Sequence, residues 1–175
     1  TLRPYQEKAV TDLRRAYRWG NKAPLLVAPT GMGKTVVLAA IVQAVAERGR
    51  RALILVHRRE LIHQTSTKLD QAGVEHGIIA AGIHPSDAPV QVASVQTLVR
   101  RLARIKWTPD LIVIDEAHHA SAGSWETILQ QWPTVPRLGV SATPVRLDGR
   151  GLKSVFDALV LGPSVARSEE HTSEL

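Results

Sequence analysis

The run Ala28-Pro29-Thr30-Gly31-Met32-Gly33-Lys34-Thr35 lies between two apolar stretches, Pro24-Leu25-Leu26-Val27 and Val36 to Val42. That order restricts the fold more than any other feature of the chain. It reads as a strand, a glycine-containing loop and a helix. Backbone N–H groups in such a loop point inward and meet the positive end of the helix dipole, which makes a cradle for a polyphosphate. Gly31 and Gly33 let the backbone approach phosphates with no Cβ in the way. Lys34 adds a point charge for the β- and γ-phosphates, and the Thr35 hydroxyl can reach a magnesium ion. The general pattern opens on glycine, where this chain has Ala28. Pro29, Thr30, Gly31, Met32, Gly33, Lys34 and Thr35 are therefore the expected nucleotide-binding set.

A second motif lies well downstream. Leu111-Ile112-Val113-Ile114 is a β-branched apolar run suited to a strand buried on both faces. It ends in Asp115-Glu116-Ala117-His118. Beside a phosphate loop, Asp115 can hold magnesium through its water shell. Glu116 can orient and deprotonate an attacking water. Alone, the four residues could be a solvated acidic turn. Two independent motifs in matching structural contexts seldom coincide, so the pair carries more weight than either member.

On these two motifs the chain resembles the N-terminal RecA-like domain of superfamily-2 DEAD/DEAH-box helicases and translocases. Further blocks follow in the family's order. Leu2-Arg3-Pro4-Tyr5-Gln6 resembles the adenine-sensing segment, Val56-His57-Arg58-Arg59-Glu60-Leu61 motif Ia, and Ala93-Ser94-Val95-Gln96-Thr97-Leu98 motif Ib. Ser141-Ala142-Thr143-Pro144 resembles motif III, continued by Val145-Arg146-Leu147-Asp148-Gly149 as in the restriction-subunit and DNA-repair branches. The resemblance implies ATP and Mg²⁺ as ligands, with Lys34, Asp115 and Glu116 as the catalytic set and Thr35 and Asp115 on the metal. It implies adenine contacts from Arg3 and Gln6. Arg58, Arg59, Ser94, Gln96 and Thr97 would contact nucleic-acid phosphates. His118, Ser141 and Thr143 would couple nucleotide state to the rest of the enzyme. Ser94 and Thr97, at a strand-to-helix turn, could instead serve as helix caps.

Composition narrows the alternatives. With 175 residues, 44% of them hydrophobic, the chain suits one domain with a real core. It has no cysteine, which excludes disulfides, zinc-thiolate sites and thiol catalysis. A cytoplasmic setting is the expectation. No apolar stretch approaches the roughly 18–20 residues of a membrane span. His118 and His119 lack companion ligands for a metal centre of their own. The net charge of +6 favours polyanionic partners. Trp125 and Trp132 read as core packing rather than a base-stacking platform.

Short apolar strands alternate with helices, so the expected fold is an α/β P-loop NTPase with a RecA-like parallel sheet and helices on both faces. Helices are expected over Tyr5–Trp19, from the loop to about Arg48, and over Arg59–Ala72, Val95–Ala103 and Ser124–Gln131. Strands are expected at Leu25–Ala28, Ala52–Val56, His76–Ala81, Val90–Ala93, Leu111–Ile114 and Arg137–Val140. Gly82 to Pro89 reads as the most flexible stretch.

The last nine residues, Arg167-Ser168-Glu169-Glu170-His171-Thr172-Ser173-Glu174-Leu175, resemble the conceptual translation of a sequencing-adapter oligonucleotide. The expectation is a native domain over 1–166, cut short at its C-terminal side, with 167–175 foreign. The family resemblance then implies a partner outside this chain: a second RecA-like domain supplying an arginine finger. No residue after Thr143 resembles that finger, so this polypeptide alone is expected to turn ATP over slowly. The expected function is an ATP-dependent nucleic-acid motor. The Arg146-Asp148-Gly149 continuation tilts the expectation toward DNA over RNA, by analogy only. Alternatives are a restriction-system subunit that translocates duplex DNA, an RNA helicase, and a non-catalytic nucleotide-dependent scaffold.

Overall fold

The computed structural model of the chain describes residues 2–29, 31, 33–117, 122–142 and 155–161. Seven strands form one sheet: β1 (Pro24–Val27), β2 (Ala52–Val56), β3 (His76–Ile79), β4 (Val90–Ser94), β5 (Leu111–Asp115), β6 (Arg137–Ser141) and β7 (Ala158–Leu161). Five α-helices accompany them: α1 (Pro4–Arg18), α2 (Lys34–Glu47), α3 (Arg59–Gln71), α4 (Val95–Arg101) and α5 (Ala122–Gln131). The spatial order is β3-β4-β2-β5-β6-β1-β7. Every pairing is parallel. Parallel pairing requires crossovers that lay helices on the sheet faces, so its strands lose their wet side. Strands β1, β2 and β5 are accordingly buried at every position.

Alternate residues along each strand feed two cores. Leu26, Ile54, Val113 and Leu138 face the helices α1, α2 and α3, meeting Leu13, Leu38 and Ile62. Leu25, Leu53, Leu55 and Ile112 face α4 and α5, meeting Leu98, Trp125 and Ile128. Gly139 of β6 lies on that second face, and a Cβ there would stand 2.5 Å from the Phe156 ring and 2.7 Å from a Leu25 methyl carbon. Only a residue without a side chain lets Phe156 cross the strand so closely. Trp125 and Trp132 are both core residues. Trp125 meets the edge of Phe156, while Trp132, just past α5, stacks on Trp107 at 6.2 Å.

β7 lies outside the set of strands expected from sequence. It adds to the free edge of β1, with Leu25 opposite Leu159 and Val27 opposite Leu161. Its anchor is Asp157, whose carboxylate accepts the Lys22 and Ala23 backbone N–H groups at 2.7 and 3.1 Å. The Asp157 N–H donates back to the Ala23 carbonyl at 2.9 Å. Gln91 plays a similar part at the opposite side of the sheet. Fully buried, its amide donates to the Ser86 and Ala88 carbonyls at 2.9 Å each. That ties down the loop read from sequence as flexible, and Gly77 leaves the room for it.

Candidate nucleotide site

The carboxyl ends of parallel strands gather the loops that bind ligands in such sheets. Here β1 ends at Val27, and Ala28 and Pro29 lead into α2. Gly31 and Gly33 adopt φ values of +92° and +74°, the left-handed region that glycine enters at no steric cost. Gly33 is also the N-cap of α2, so Lys34 and Thr35 stand in its first turn. The next strands along the sheet, β6 and β5, end in Ser141 and Asp115. Ser141 is fully buried, and its carbonyl accepts the Ala28 N–H at 2.8 Å. The start of the phosphate loop is thereby joined to the end of β6.

The chemistry converges on one ammonium group. Lys34 Nζ lies 3.0 Å from Asp115 Oδ1 and also donates to Glu116 Oε1. The three side chains are mostly buried, with exposures of 16%, 8% and 18% in the order Lys34, Asp115, Glu116. Burial by itself pushes the Lys34 ammonium toward neutrality, but the two carboxylates outweigh it, and its pKa is raised. Glu116 carries a φ of 51°, rare for a residue with a side chain. Such a conformation costs on the order of 1–3 kcal/mol and persists where surrounding contacts over-determine it. Two contacts do so here: the ion pair with Lys34, and a 2.9 Å bond from the Glu116 N–H to Asp115 Oδ1.

Gln6 reaches the loop from below. It is buried, and its Oε1 accepts the Arg3 N–H at 2.8 Å, which fastens the start of α1. A Cβ on Gly33 would lie 2.5 Å from Gln6 Nε2. The side chain read as an adenine contact therefore also braces the phosphate loop. Arg3 is exposed, with its guanidinium 3.1 Å from the Tyr5 hydroxyl.

The residues read as nucleic-acid contacts sit further along the same edge. Val56 pairs with Ser94, so the ends of β2 and β4 are level. Arg58 and Arg59 are exposed where β2 passes into α3, and Gln96 is exposed on α4. Ser94 and Thr97 are half-buried. Ser94 is the N-cap of α4, yet its hydroxyl makes no capping bond, so the structural alternative for it is not realised. Thr30, Met32, His118 and Thr143, together with Arg146, Asp148 and Gly149, lie outside the described residues. Asp157 and the brace from Gln6 to Gly33 were not apparent from sequence. A lone aspartate before four apolar residues is the only local signal for the first, and the second depends on contacts between distant segments. Among the described residues there is no cluster of three or more His, Asp or Glu that could hold a metal without a ligand. None of the described helices is long and apolar enough to cross a membrane.

The family model described as type III restriction enzyme, res subunit, matches residues 1–146. IRC3 of Saccharomyces cerevisiae, a protein assigned as an ATP-dependent helicase, is 36% identical over 179 residues, covering 91% of this chain and 26% of its own. The DNA 3'-5' translocase XPB2 of Sulfurisphaera tokodaii is 30% identical over 167 residues, covering 95% and 35%. The crystal structure of the UvsW helicase from bacteriophage T4 superposes with a TM-score of 0.73 at 21% identity, covering 91% of this chain and 59% of that one. The likeness to UvsW is one of fold. The chain spans about a quarter to a third of the curated relatives' length.

Proposed function

We propose, from the fact that this chain belongs to the family of the type III restriction enzyme res subunit, that it is the nucleotide-binding first RecA-like domain of an ATP-driven nucleic-acid motor. The observation that carries the reading is the placement of Lys34 between Asp115 and Glu116 at the mouth of a glycine-bearing loop. Gly31 has open space where a Cβ would stand, and α2 begins directly after Gly33. The donor set suits a nucleoside triphosphate with magnesium. Thr35 and Asp115 would hold the ion, whose chemistry there is to neutralise phosphate charge.

The chain's own residues would act as follows. Lys34 exchanges its carboxylate partners for the phosphate oxygens of ATP. Asp115 would be one of the groups that hold the metal. Glu116 would accept the proton of the attacking water. The φ of 51° at Glu116 sets the direction in which its side chain leaves the backbone. Arg58, Arg59 and Gln96 offer charge and amide donors to a phosphate backbone, a mode that is independent of sequence and sensitive to salt. DNA is favoured over RNA by the restriction family of the chain and by a relative named as a DNA translocase. Translocation of duplex DNA without strand separation is the second reading, on the same ground. Residues 1–166 would form this domain, and a second RecA-like domain would close over the nucleotide.

The test is the ATPase rate of the parent protein with duplex DNA, single-stranded DNA or RNA, and of its Glu116→Gln variant. DNA should stimulate the wild type. Glu116→Gln should lower turnover by about 10²-fold or more while ATP still binds, the scale on which loss of a general base acts. An unchanged rate in the variant would remove Glu116 from the chemistry.

A further inference from the structure

The end of the sheet opposite Lys34 carries a second feature. A cavity of about 210 Å³ opens between α1 and α2, over the amino ends of β5 and β6. Leu13, Ile41, Val45 and Leu138 form its apolar wall, and the Tyr17 ring closes one side. The Tyr17 hydroxyl is already spent on the Arg137 carbonyl at 2.6 Å. Among the described residues, the only charged ones lining the cavity are Arg14, Arg48 and Arg50. All three are exposed, and among the described residues none of them makes an ion pair. The neighbouring carboxylates are engaged elsewhere. Glu47 accepts from the Gln43 amide at 3.2 Å, and Asp110 accepts the Arg51 N–H at 2.8 Å.

We propose that this cavity is a docking site for an acidic peptide segment of a partner protein, with one bulky apolar side chain as its anchor. Three uncompensated guanidinium groups call for carboxylates around the rim. The volume decides the size of the anchor. At about 210 Å³ the space falls below the roughly 300–1,000 Å³ of small-molecule sites. It suits a single inserted side chain, the arrangement in which an anchor in a desolvated pocket dominates an interface. A nucleic-acid track would need the charge but not the apolar hole. The cavity also lies away from the strand ends where phosphate contacts are proposed, so a partner held here leaves that edge open.

The experiment titrates the full 175-residue chain into a fluorescein-labelled peptide with one tryptophan between two pairs of glutamates, read by polarisation. Saturable binding is expected. It should weaken at least about tenfold in Arg48→Glu/Arg50→Glu, which turns two rim attractions into repulsions. It should weaken as much in Ala44→Phe, which fills the cavity, and when the peptide's tryptophan becomes serine. Arg14→Glu, on an exposed helix face, must weaken it too, and serves if Ala44→Phe lowers the melting temperature. Equal binding by the serine peptide would overturn the proposal. So would a duplex oligonucleotide that binds the chain and loses affinity in the same double arginine variant, because the rim would then be a polyanion surface.

Discussion

Replacing Lys34 with methionine keeps most of the side chain's length and removes its charge. The wild-type ammonium stands 3.0 Å from Asp115 and in contact with Glu116. At that distance one unit pair is worth about 5 kcal/mol for an effective dielectric near 20. Part of this is offset by desolvation, and breaking a buried pair typically costs about 3–5 kcal/mol. The residual exposures of 16%, 8% and 18% place this trio at the lower end, near 3 kcal/mol. For a domain of this size that is a fall in melting temperature of roughly 6–12 °C. The cause would be two adjacent carboxylates left without a counter-charge. Adding Glu116→Gln to Lys34→Met should recover about half of the loss at pH 8, since one of the two like charges is gone. Thermal melts at pH 8 of the wild type, the two single variants and the double variant decide it. A deficit that Glu116→Gln does not relieve would mean that Lys34 stabilises by packing and not by charge.

Other outcomes follow from the same structure. Gly139→Ala should destabilise by about 1–3 kcal/mol in urea titration, because its Cβ would press on Phe156 and Leu25. Asp157→Ala removes the acceptor of two backbone N–H groups and should cost about 1–3 kcal/mol, with faster amide exchange confined to Ala158–Leu161. Lys34 and Tyr17 both have raised pKa values, Tyr17 by burial first and by Asp157 second. A group with a raised folded pKa stabilises fully below its unfolded value and loses that contribution as pH climbs through the folded one. Melting temperature should therefore fall from about pH 10 upward, and Tyr17→Phe should make the decline shallower while losing about 1 kcal/mol at pH 7.

The geometry of the candidate site was legible because its signals are local. The Gly31–Thr35 segment, the apolar run before Asp115 and the helix start at Pro4 each state their geometry within a few residues. The parallel sheet followed from the alternation of short apolar runs with helices. What sequence did not disclose depends on distant partners. β7 is four apolar residues between Asp157 and Gly162-Pro163, a run too short to mark itself as a strand, and only its seat beside β1 makes it one. Gln91 reads as a surface residue until Gly77 and the loop above it are brought alongside. Gln6 resembled a ligand contact, and its second employment as a brace depends on Gly33, far along the chain but adjacent in space. Strand boundaries also moved, as β5 and β6 extend to Asp115 and Ser141 and carry those side chains within the ladder.

One backbone bond limits how the proposed motor could work. The Ala28 N–H is held by the Ser141 carbonyl, so the phosphate loop and the tip of β6 are riveted together. A stroke that slid one strand past its neighbour would have to shear this rivet and the parallel ladder behind it. The sheet is better understood as the engine block. Under the proposed function, whatever travels when nucleotide comes and goes would be hinged to it from outside, and the news of an occupied loop would leave by the turning of side chains.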